Sequence, residues 1–347
     1  MTGLVLAGGG VKGSYQIGAY LALKKCNIKI DGVVGTSIGS FNACMIAMGK
    51  EKELYNFWRN VDIGELLEFK KEYTDSVNNN DTFKELVYGI EQMTLIVKNK
   101  GISNKKMKQT LDKMIDEDVL MNSEMDFGLV TVRANDLKPL YLFKSDMKKG
   151  KISEYILASC NLPVFKVQKF IDDKYYLDGG FYDNNPINML LDKGYDKIYS
   201  IEIQGIGFSK KPKDLSKVVR IVPSRHLGST LNVNKKKINE NIKIGYYDTL
   251  KVLKNLDGYN FIFKKRSDLL YNTLVKKVDA DLYKRVKKYF SAKSNKELVL
   301  KALEYTMIKD NQTYFEIYNV LKYIKYVKKN STRKHFVYEF VKSLRIL

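Results

Sequence analysis

Short apolar runs alternate with helical segments over the first two thirds of the chain. The apolar run at residues 4–7 ends in three glycines, and residues 14–24 place apolar side chains at helical spacing. A second run at 32–34 passes directly into another apolar helical segment. The alternation continues downstream, with strands predicted at 127–132, 140–143, 165–171, 175–177, 198–203 and 218–222 and helices at 105–115 and 152–159. This order predicts an α/β fold in which helices cover both faces of one sheet, a three-layer α/β/α sandwich.

The strand pattern fades in the last third of the chain. After about residue 231 helical spacing prevails, apart from a brief strand-like stretch at 259–263. The helical segments predicted there are 232–254, 282–290, 296–307 and 314–327. We therefore predict two parts, an α/β domain at residues 1–230 and a mainly helical region at residues 231–347. Ligands are expected at the carboxyl ends of the strands in the first part.

The chain is strongly basic, and most of the excess lies in the helical region. Lys and Arg number 60 against 39 Asp and Glu, and residues 231–347 hold 27 basic and 11 acidic side chains. Two interpretations stay open, namely lysine-rich helix surfaces or attraction to an anionic surface. Only 8 of the basic residues are arginine. Because base-specific recognition of nucleic acid depends on arginine, this composition favours diffuse attraction over sequence recognition.

Cysteine content and the amino-terminal residues bear on the compartment. Cys26, Cys44 and Cys160 are widely spaced and include no Cys-x-x-Cys pair, so neither a disulfide framework nor a zinc site is expected. Residues 1–10 lack the basic start of a signal peptide, and no stretch reaches the roughly 18 uninterrupted apolar residues of a membrane span. We expect a cytoplasmic protein.

A glycine-rich loop, G-G-G-V-K-G at residues 8–13, follows the first predicted strand. The backbone N–H groups of such a loop can hold negative charge at the start of the next helix. A dinucleotide site also uses this kind of loop, but it requires an acidic residue at the end of the second strand, and Asp31 precedes that strand. We therefore interpret the loop as a source of N–H donors for another purpose.

The second predicted strand runs into a G-x-S-x-G sequence at residues 35–39. Its small residues permit the strained strand-to-helix turn that presents a nucleophilic serine, here Ser37. A serine that only caps a helix is the plainer alternative. The glycine loop favours catalysis, because adjacent strands would bring its N–H groups beside Ser37 as an oxyanion hole.

Two candidate bases could activate Ser37. His226 follows the predicted strand at 218–222, and Ser37, Asp178 and His226 occur in the chain order of α/β-hydrolase triads. Asp178 begins an Asp-Gly-Gly turn after the predicted strand at 175–177 and offers a carboxylate instead. Since Asp-Gly is also an ordinary turn pair, this pattern alone leaves both hypotheses open.

The three motifs in this order resemble those of the patatin-like phospholipase family. That family has a G-G-G-x-[RK]-G loop, a G-x-S-x-G elbow and a downstream D-G-[GA] turn, and all three occur here. Residues 158–165, A-S-C-N-L-P-V-F, and residues 184–186, N-N-P, add to the resemblance, which covers about residues 3–205. One departure is Lys12, where many members carry arginine.

The resemblance implies a patatin-like catalytic domain at residues 1–230 that hydrolyses acyl esters of lipids without a metal or cofactor. It makes Ser37 the nucleophile and Asp178 the proton acceptor of a Ser-Asp dyad. The other implied site residues are the oxyanion loop Gly8, Gly9, Gly10, Lys12 and Gly13, the elbow glycines Gly35 and Gly39, and the turn glycines Gly179 and Gly180. The lipid headgroup, the acyl chain and the choice between hydrolysis and acyl transfer stay open.

The basic C-terminal region suggests a membrane partner. Apolar stripes at residues 314–327 and 336–347 are flanked by lysine and arginine. Such stripes are typical of a helical core, but a basic amphipathic face also suits peripheral contact with an anionic membrane. A rival hypothesis is a catalytically silent patatin-like module that binds nucleic acid or another anionic surface, although no motif favours nucleic acid.

Overall fold

The computed structural model describes residues 1–79, 91, 94–96, 98–205 and 207–346. The chain divides into two compact units, Met1–Tyr246 and Tyr247–Leu347. The division falls within a single helix, Lys235–Leu253. The sequence-based boundary after residue 230 precedes this helix and stays a prediction.

The first unit is built from strands and helices in alternation. Its strands are β1 (Thr2–Leu6), β2 (Gly32–Thr36), β3 (Asp126–Arg133), β4 (Lys138–Phe143), β5 (Tyr176–Asp178), β6 (Lys197–Ile201) and β7 (Val218–Ile221). Its helices are α1 (Ser14–Lys25), α2 (Ile38–Ala47), α3 (Glu51–Asn60), α4 (Ile63–Leu66), α5 (Lys71–Asn78), α6 (Lys105–Met114), α7 (Glu117–Asn122), α8 (Ile152–Ser159) and α9 (Ile187–Asp192), with α10 (Lys235–Leu253) at the division. The predicted α/β class is confirmed.

The strands form one mixed sheet in the order β4-β3-β2-β1-β6-β7. Each adjacent pair in the series β3-β2-β1-β6-β7 is parallel, whereas β4 is antiparallel to β3. Leu6 of β1 pairs with Gly35 of β2. Because parallel strands end at the same edge of a sheet, the loops that follow β1 and β2 emerge side by side.

Strand β5 lies off this path and pairs antiparallel with the end of β3. Thr36, the last residue of β2, pairs with Val130, and Asp178, the last residue of β5, pairs with Thr131. Thus β2 and β5 run toward each other along one flank of β3, and their last residues meet.

Apolar residues fill both faces of the sheet, as a three-layer sandwich requires. Val5, Val34 and Val130 share one face and pack in a core with Leu190 of α9. Neighbouring residues of a strand point to opposite faces, and Leu4 on the other face is fully buried too. Helices therefore cover the sheet on both sides.

One predicted strand, at residues 165–171, is wrong. This segment makes only isolated bridges, from Phe165 to Ile102 and from Lys169 to Tyr175. Phe165, Phe170 and Ile171 are buried, but Val167 between them is 83% exposed. The segment is a connection, and the strand begins later, at Tyr176.

The second unit is mainly helical. Its elements are β8 (Ile262–Phe263), α11 (Asp268–Val275), α12 (Ala280–Phe290), α13 (Asn295–Lys309), β9 (Ile317–Tyr318), α14 (Val320–Asn330) and α15 (Phe336–Ser343). The predicted helix at 314–327 starts too early, because Asn319 caps α14 by accepting the N–H groups of Leu321 and Lys322. In the part of the chain described here, no helix has the length and apolar character of a membrane span.

The apolar stripes of the C-terminal region belong to the core of this unit. Ile324, Val327, Phe340 and Leu344 are fully buried in one cluster. These side chains are therefore not available to enter a bilayer. Contact between the lysines of this region and an anionic membrane stays a prediction.

Candidate active site

Ser37 occupies a strained turn between β2 and α2. Its φ of 55° and ψ of −131° lie where few residues other than glycine are found. Hydrogen bonds hold this conformation on both sides: the Ser37 N–H donates to Ser159 Oγ at 2.9 Å, and the Ser37 carbonyl accepts the Ser40 N–H at 2.8 Å. The backbone is thus fixed in the form that a nucleophile elbow requires.

Asp178 lies at the end of β5 and is 2% exposed. Its Oδ1 accepts the N–H of Gly180 at 2.8 Å, so the carboxylate caps its own turn. Burial raises the pKa of Asp178 to about 6, while interaction with the Ser37 hydroxyl and the Gly180 N–H lowers it in part. An aspartate with this pKa is ionised at neutral pH and is a stronger base than an exposed one.

The structure brings Ser37 and Asp178 together. The Ser37 hydroxyl lies near enough to influence the Asp178 pKa. Asp178 Oδ2 nevertheless has no hydrogen bond of ordinary geometry to any residue that the structure describes. Loose contacts between nucleophile and base are common in sites without substrate. The unpartnered oxygen is free to receive a proton.

The glycine loop after β1 packs directly on the serine turn. A Cβ on Gly8 would lie 3.1 Å from Ser37 Cβ and 2.3 Å from Asn184 Oδ1, so a side chain here would displace both of these groups. The Gly8 N–H is already engaged with the Asn184 carbonyl at 3.1 Å. The N–H groups of Gly9 and Gly10 make no hydrogen bond to a described residue. They are the loop donors that remain available for an oxyanion.

Lys12 braces the glycine loop. Its Nζ donates to the carbonyl of Gln204 at 2.8 Å, and burial lowers its pKa. Lys12 therefore holds the loop through one hydrogen bond from its ammonium group. At the end of the loop, the Gly13 carbonyl accepts a hydrogen bond from the Asn42 side chain at 3.0 Å.

The turn and elbow glycines allow the segments around Ser37 and Asp178 to pack closely. A Cβ on Gly179 would come within 2.2 Å of the Val130 carbonyl oxygen and 2.9 Å of the Thr36 side chain. At the elbow, a Cβ on Gly35 would lie 2.3 Å from the backbone of Gly39, which itself packs on the Leu6 carbonyl. These motif glycines therefore bring β1, β2 and the Asp178 turn into contact.

Sequence reasoning missed several polar groups that hold the site. The Ser159 hydroxyl accepts from Ser37 and donates to the Val130 carbonyl at 2.6 Å. Asp183 is fully buried, its carbonyl accepts the Thr36 hydroxyl at 2.8 Å, and burial raises its pKa. Ser159 and Asn184 lie in stretches that carry the family resemblance, but only the fold reveals their partners.

Cys160 is another potential nucleophile close to Ser37 and Asp178. It is buried, and its thiol interacts with the hydroxyls of Ser40 and Ser37. Burial and the neighbouring Asp178 carboxylate raise its pKa, so the thiol stays protonated and unreactive at neutral pH.

His226 does not join the site. Its side chain is exposed, and its Nδ1 accepts the N–H of Gly228 at 3.2 Å within its own loop. No contact among the described residues links it to Ser37 or Asp178. His335 caps α15 and stacks on Tyr305 in the second unit. The geometry favours the Ser-Asp hypothesis over the triad.

Known proteins of similar sequence match a little more than half of the chain. Lysophospholipase nte1 of Aspergillus terreus is 24% identical over 205 residues, which cover 59% of this chain and 12% of that protein. Patatin-like phospholipase domain-containing protein 7 of Rattus norvegicus is 24% identical over 204 residues, 58% of this chain and 13% of that protein. The chain thus matches only a small part of each relative.

The chain is also similar to solved structures. VipD from Legionella pneumophila is 15% identical, with a TM-score of 0.46 over 98% of this chain and 83% of that chain. The type III effector protein ExoU is 16% identical, with a TM-score of 0.36 over 98% of this chain and 70% of that one.

The family model described as patatin-like phospholipase matches residues 4–191, more than half of the chain. The matched segment contains the glycine loop, Ser37 and the Asp178 turn. The chain belongs to the patatin-like phospholipase family.

Proposed function

We propose that the protein hydrolyses carboxylic ester bonds of a lipid, with Ser37 as the nucleophile and Asp178 as the proton acceptor. The observation that carries this proposal is the meeting of the Ser37 hydroxyl with a buried carboxyl whose pKa is about 6. Such a group is both ionised and basic near neutral pH. Family membership supports a lipid as the class of substrate.

Acylation begins when Asp178 Oδ2 accepts the proton of Ser37 Oγ. Oγ attacks the ester carbonyl, and the resulting oxyanion accepts hydrogen bonds from the N–H groups of Gly9 and Gly10. Removal of one such donor typically slows acyl transfer by about a hundred- to a thousandfold. The tetrahedral intermediate then expels the alcohol, which leaves with the proton held by Asp178, and an acyl-serine remains.

Deacylation reverses these roles with water. Asp178 takes a proton from a water molecule, the hydroxide attacks the acyl-serine, and the carboxylic acid departs as the proton returns to Ser37 Oγ. An alcohol in place of water would transfer the acyl group to that alcohol by the same steps.

A soluble p-nitrophenyl ester and a fluorophosphonate probe test the dyad. The intact protein should hydrolyse the ester and become labelled at Ser37, and Ser37→Ala should do neither. Asp178→Asn should lose at least about a hundredfold in rate, as expected for a missing general base. His226→Ala is the matched control and should keep full activity. Full activity of Asp178→Asn, or its loss in His226→Ala, would overturn the dyad.

Analysis of lipids from phospholipid vesicles tests the substrate class. Vesicles incubated with the intact protein should lose one lipid and gain a free fatty acid, and vesicles incubated with Ser37→Ala should not. New esters without free acid would indicate transfer in place of hydrolysis. Hydrolysis of the soluble ester with no change in any vesicle lipid would contradict the lipid assignment.

A further inference from the structure

Three exposed aromatic side chains lie beside the turn that carries Asp178. Phe181 and Tyr182 follow the turn directly and are 42% and 37% exposed, and Phe208 is 72% exposed. Scattered apolar residues on a surface are ordinary, but a group of exposed aromatic rings marks a contact site. Their neighbourhood decides which kind of partner they fit.

Backbone hydrogen bonds fasten these residues to the Asp178 turn. The Phe208 N–H donates to the Gly180 carbonyl at 2.9 Å, and the Phe208 carbonyl accepts the Asn184 N–H at 2.5 Å. The Tyr182 N–H donates to the Gly179 carbonyl at 3.0 Å. The backbones of Tyr182 and Phe208 are therefore held beside the Asp178 turn, and Phe181 lies between Gly180 and Tyr182 in the chain.

The charge at this place is positive. The Lys210 Nζ lies 4.1 Å from the centre of the Tyr182 ring, and Lys211 beside it is exposed. The nearby carboxyl of Asp183 is fully buried and accepts the Lys210 N–H at 3.3 Å. Exposed rings next to lysine suit an anionic bilayer, where the rings enter the headgroup region and the ammonium groups meet lipid phosphates.

We propose that Phe181, Tyr182, Phe208, Lys210 and Lys211, here called the docking surface, bind an anionic lipid bilayer and hold the Asp178 turn against it. The proposal rests on the proposed function, because a bilayer is where a lipid ester would be met. A net charge of +21 draws the whole chain toward such a surface. The docking surface adds exposed rings, whereas the apolar stripes of the C-terminal region are buried.

A tryptophan placed in the docking surface reports its insertion. The chain has one tryptophan, Trp58, which is 1% exposed and gives a constant background. Phe208→Trp, carried in Ser37→Ala so that the lipid is not consumed, should shift its emission to the blue on phosphatidylcholine vesicles containing phosphatidylglycerol. Brominated lipid should quench it. Leu215→Trp is the control. Leu215 is 56% exposed, but it precedes β7 and so lies toward the end of the sheet where the parallel strands begin.

Vesicle sedimentation measures what each part of the docking surface contributes. Phe208→Ala should weaken binding about tenfold, as expected for one aromatic ring withdrawn from the interface. Lys210→Gln should weaken it about fivefold at low salt and have little effect at high salt. Leu215→Ala and Lys29→Gln are matched controls, because both residues precede a strand and lie toward the end of the sheet where the strands begin. Both variants should bind as the parent does.

The outcomes separate this proposal from the proposed function. Blue-shifted Phe208→Trp emission, in a protein whose intact form hydrolyses no ester, would support the docking surface and contradict the proposed hydrolase activity. Ester hydrolysis with unshifted emission, or with binding that Phe208→Ala leaves unchanged, would overturn the docking surface alone. Binding by the second unit only would also leave the emission unshifted and overturn it.

Discussion

Ser159 and Ser37 are joined by a hydrogen bond that reaches the backbone of Ser37, the proposed nucleophile, and not its hydroxyl. The Ser37 N–H donates to Ser159 Oγ at 2.9 Å, and the same hydroxyl donates onward to the Val130 carbonyl. Ser159 is fully buried. It is therefore a positioning residue that ties the strained turn to the centre of the sheet.

Ser159→Ala should lower the maximal rate of ester hydrolysis and leave KM nearly unchanged. The substitution leaves the Ser37 N–H and the Val130 carbonyl without the hydrogen bonds to Ser159, which costs about 1–3 kcal/mol of stability. It also allows Ser37 to leave its strained conformation. Ser200→Ala is the control, because it removes another buried hydroxyl, bonded to Asn185 at 3.0 Å, without contact to Ser37. Equal rates per folded molecule in the two variants would contradict a positioning role.

The pH dependence of ester hydrolysis should follow the Asp178 carboxyl. Burial raises its pKa to about 6, and only the ionised form accepts a proton from Ser37. The value of kcat/KM should therefore be constant above about pH 7 and fall about tenfold per pH unit well below 6. A steady-state profile with a soluble ester checks this. A midpoint near pH 4 would mean that the carboxyl is solvated.

Asp178→Asn should stabilise the fold at neutral pH. The folded-state pKa lies above the unfolded value of 3.8, so folding takes up a proton between about pH 4 and 6, and the ionised carboxylate opposes folding above that range. Removing the charge should gain up to about 3 kcal/mol at pH 7, and the gain should vanish below about pH 4. Thermal melting at both pH values measures it. A lower melting temperature for Asp178→Asn at pH 7 would refute the raised pKa.

Gly8→Ala should impair catalysis more than folding. Its Cβ would lie 2.3 Å from Asn184 Oδ1 and 3.1 Å from Ser37 Cβ, so the Asn184 side chain must turn away and Ser37 must shift by a few tenths of an ångström. A displacement near 1 Å can cost about a hundredfold in rate, so this smaller shift should cost about tenfold or less. The rate of fluorophosphonate labelling measures this effect. Gly49→Ala, whose Cβ would meet nothing within 4 Å, should label like the parent protein per folded molecule, although its φ of 70° makes the variant less stable. Normal labelling of Gly8→Ala would contradict this prediction and would show that the glycine loop moves in place of Ser37.

The sequence predicted best what depends on local backbone chemistry. The glycine loop and the serine turn need particular residues at fixed spacing, so their strand-to-helix positions could be read from the motifs alone. The partners of Ser159 and Asp183 could not, because a buried hydroxyl or carboxylate finds its neighbours only when distant segments pack.

The two errors in element assignment have different origins. Residues 165–171 carry the apolar residues of a strand, but the segment makes only isolated bridges and Val167 is exposed. At 314–327 an apolar spacing typical of a helix begins before the helix does. There the cap at Asn319 was a local signal, and it marks the true start of α14.

The meeting of β2 and β5 on one flank of β3 means that the proposed dyad can assemble only late in folding. Thr36 and Asp178 are separated by most of the first unit in the chain and become neighbours only when both strands have added to β3. A fragment that ends before β5 contains Ser37 but lacks Asp178, so under the proposed mechanism it would have no ester hydrolase activity.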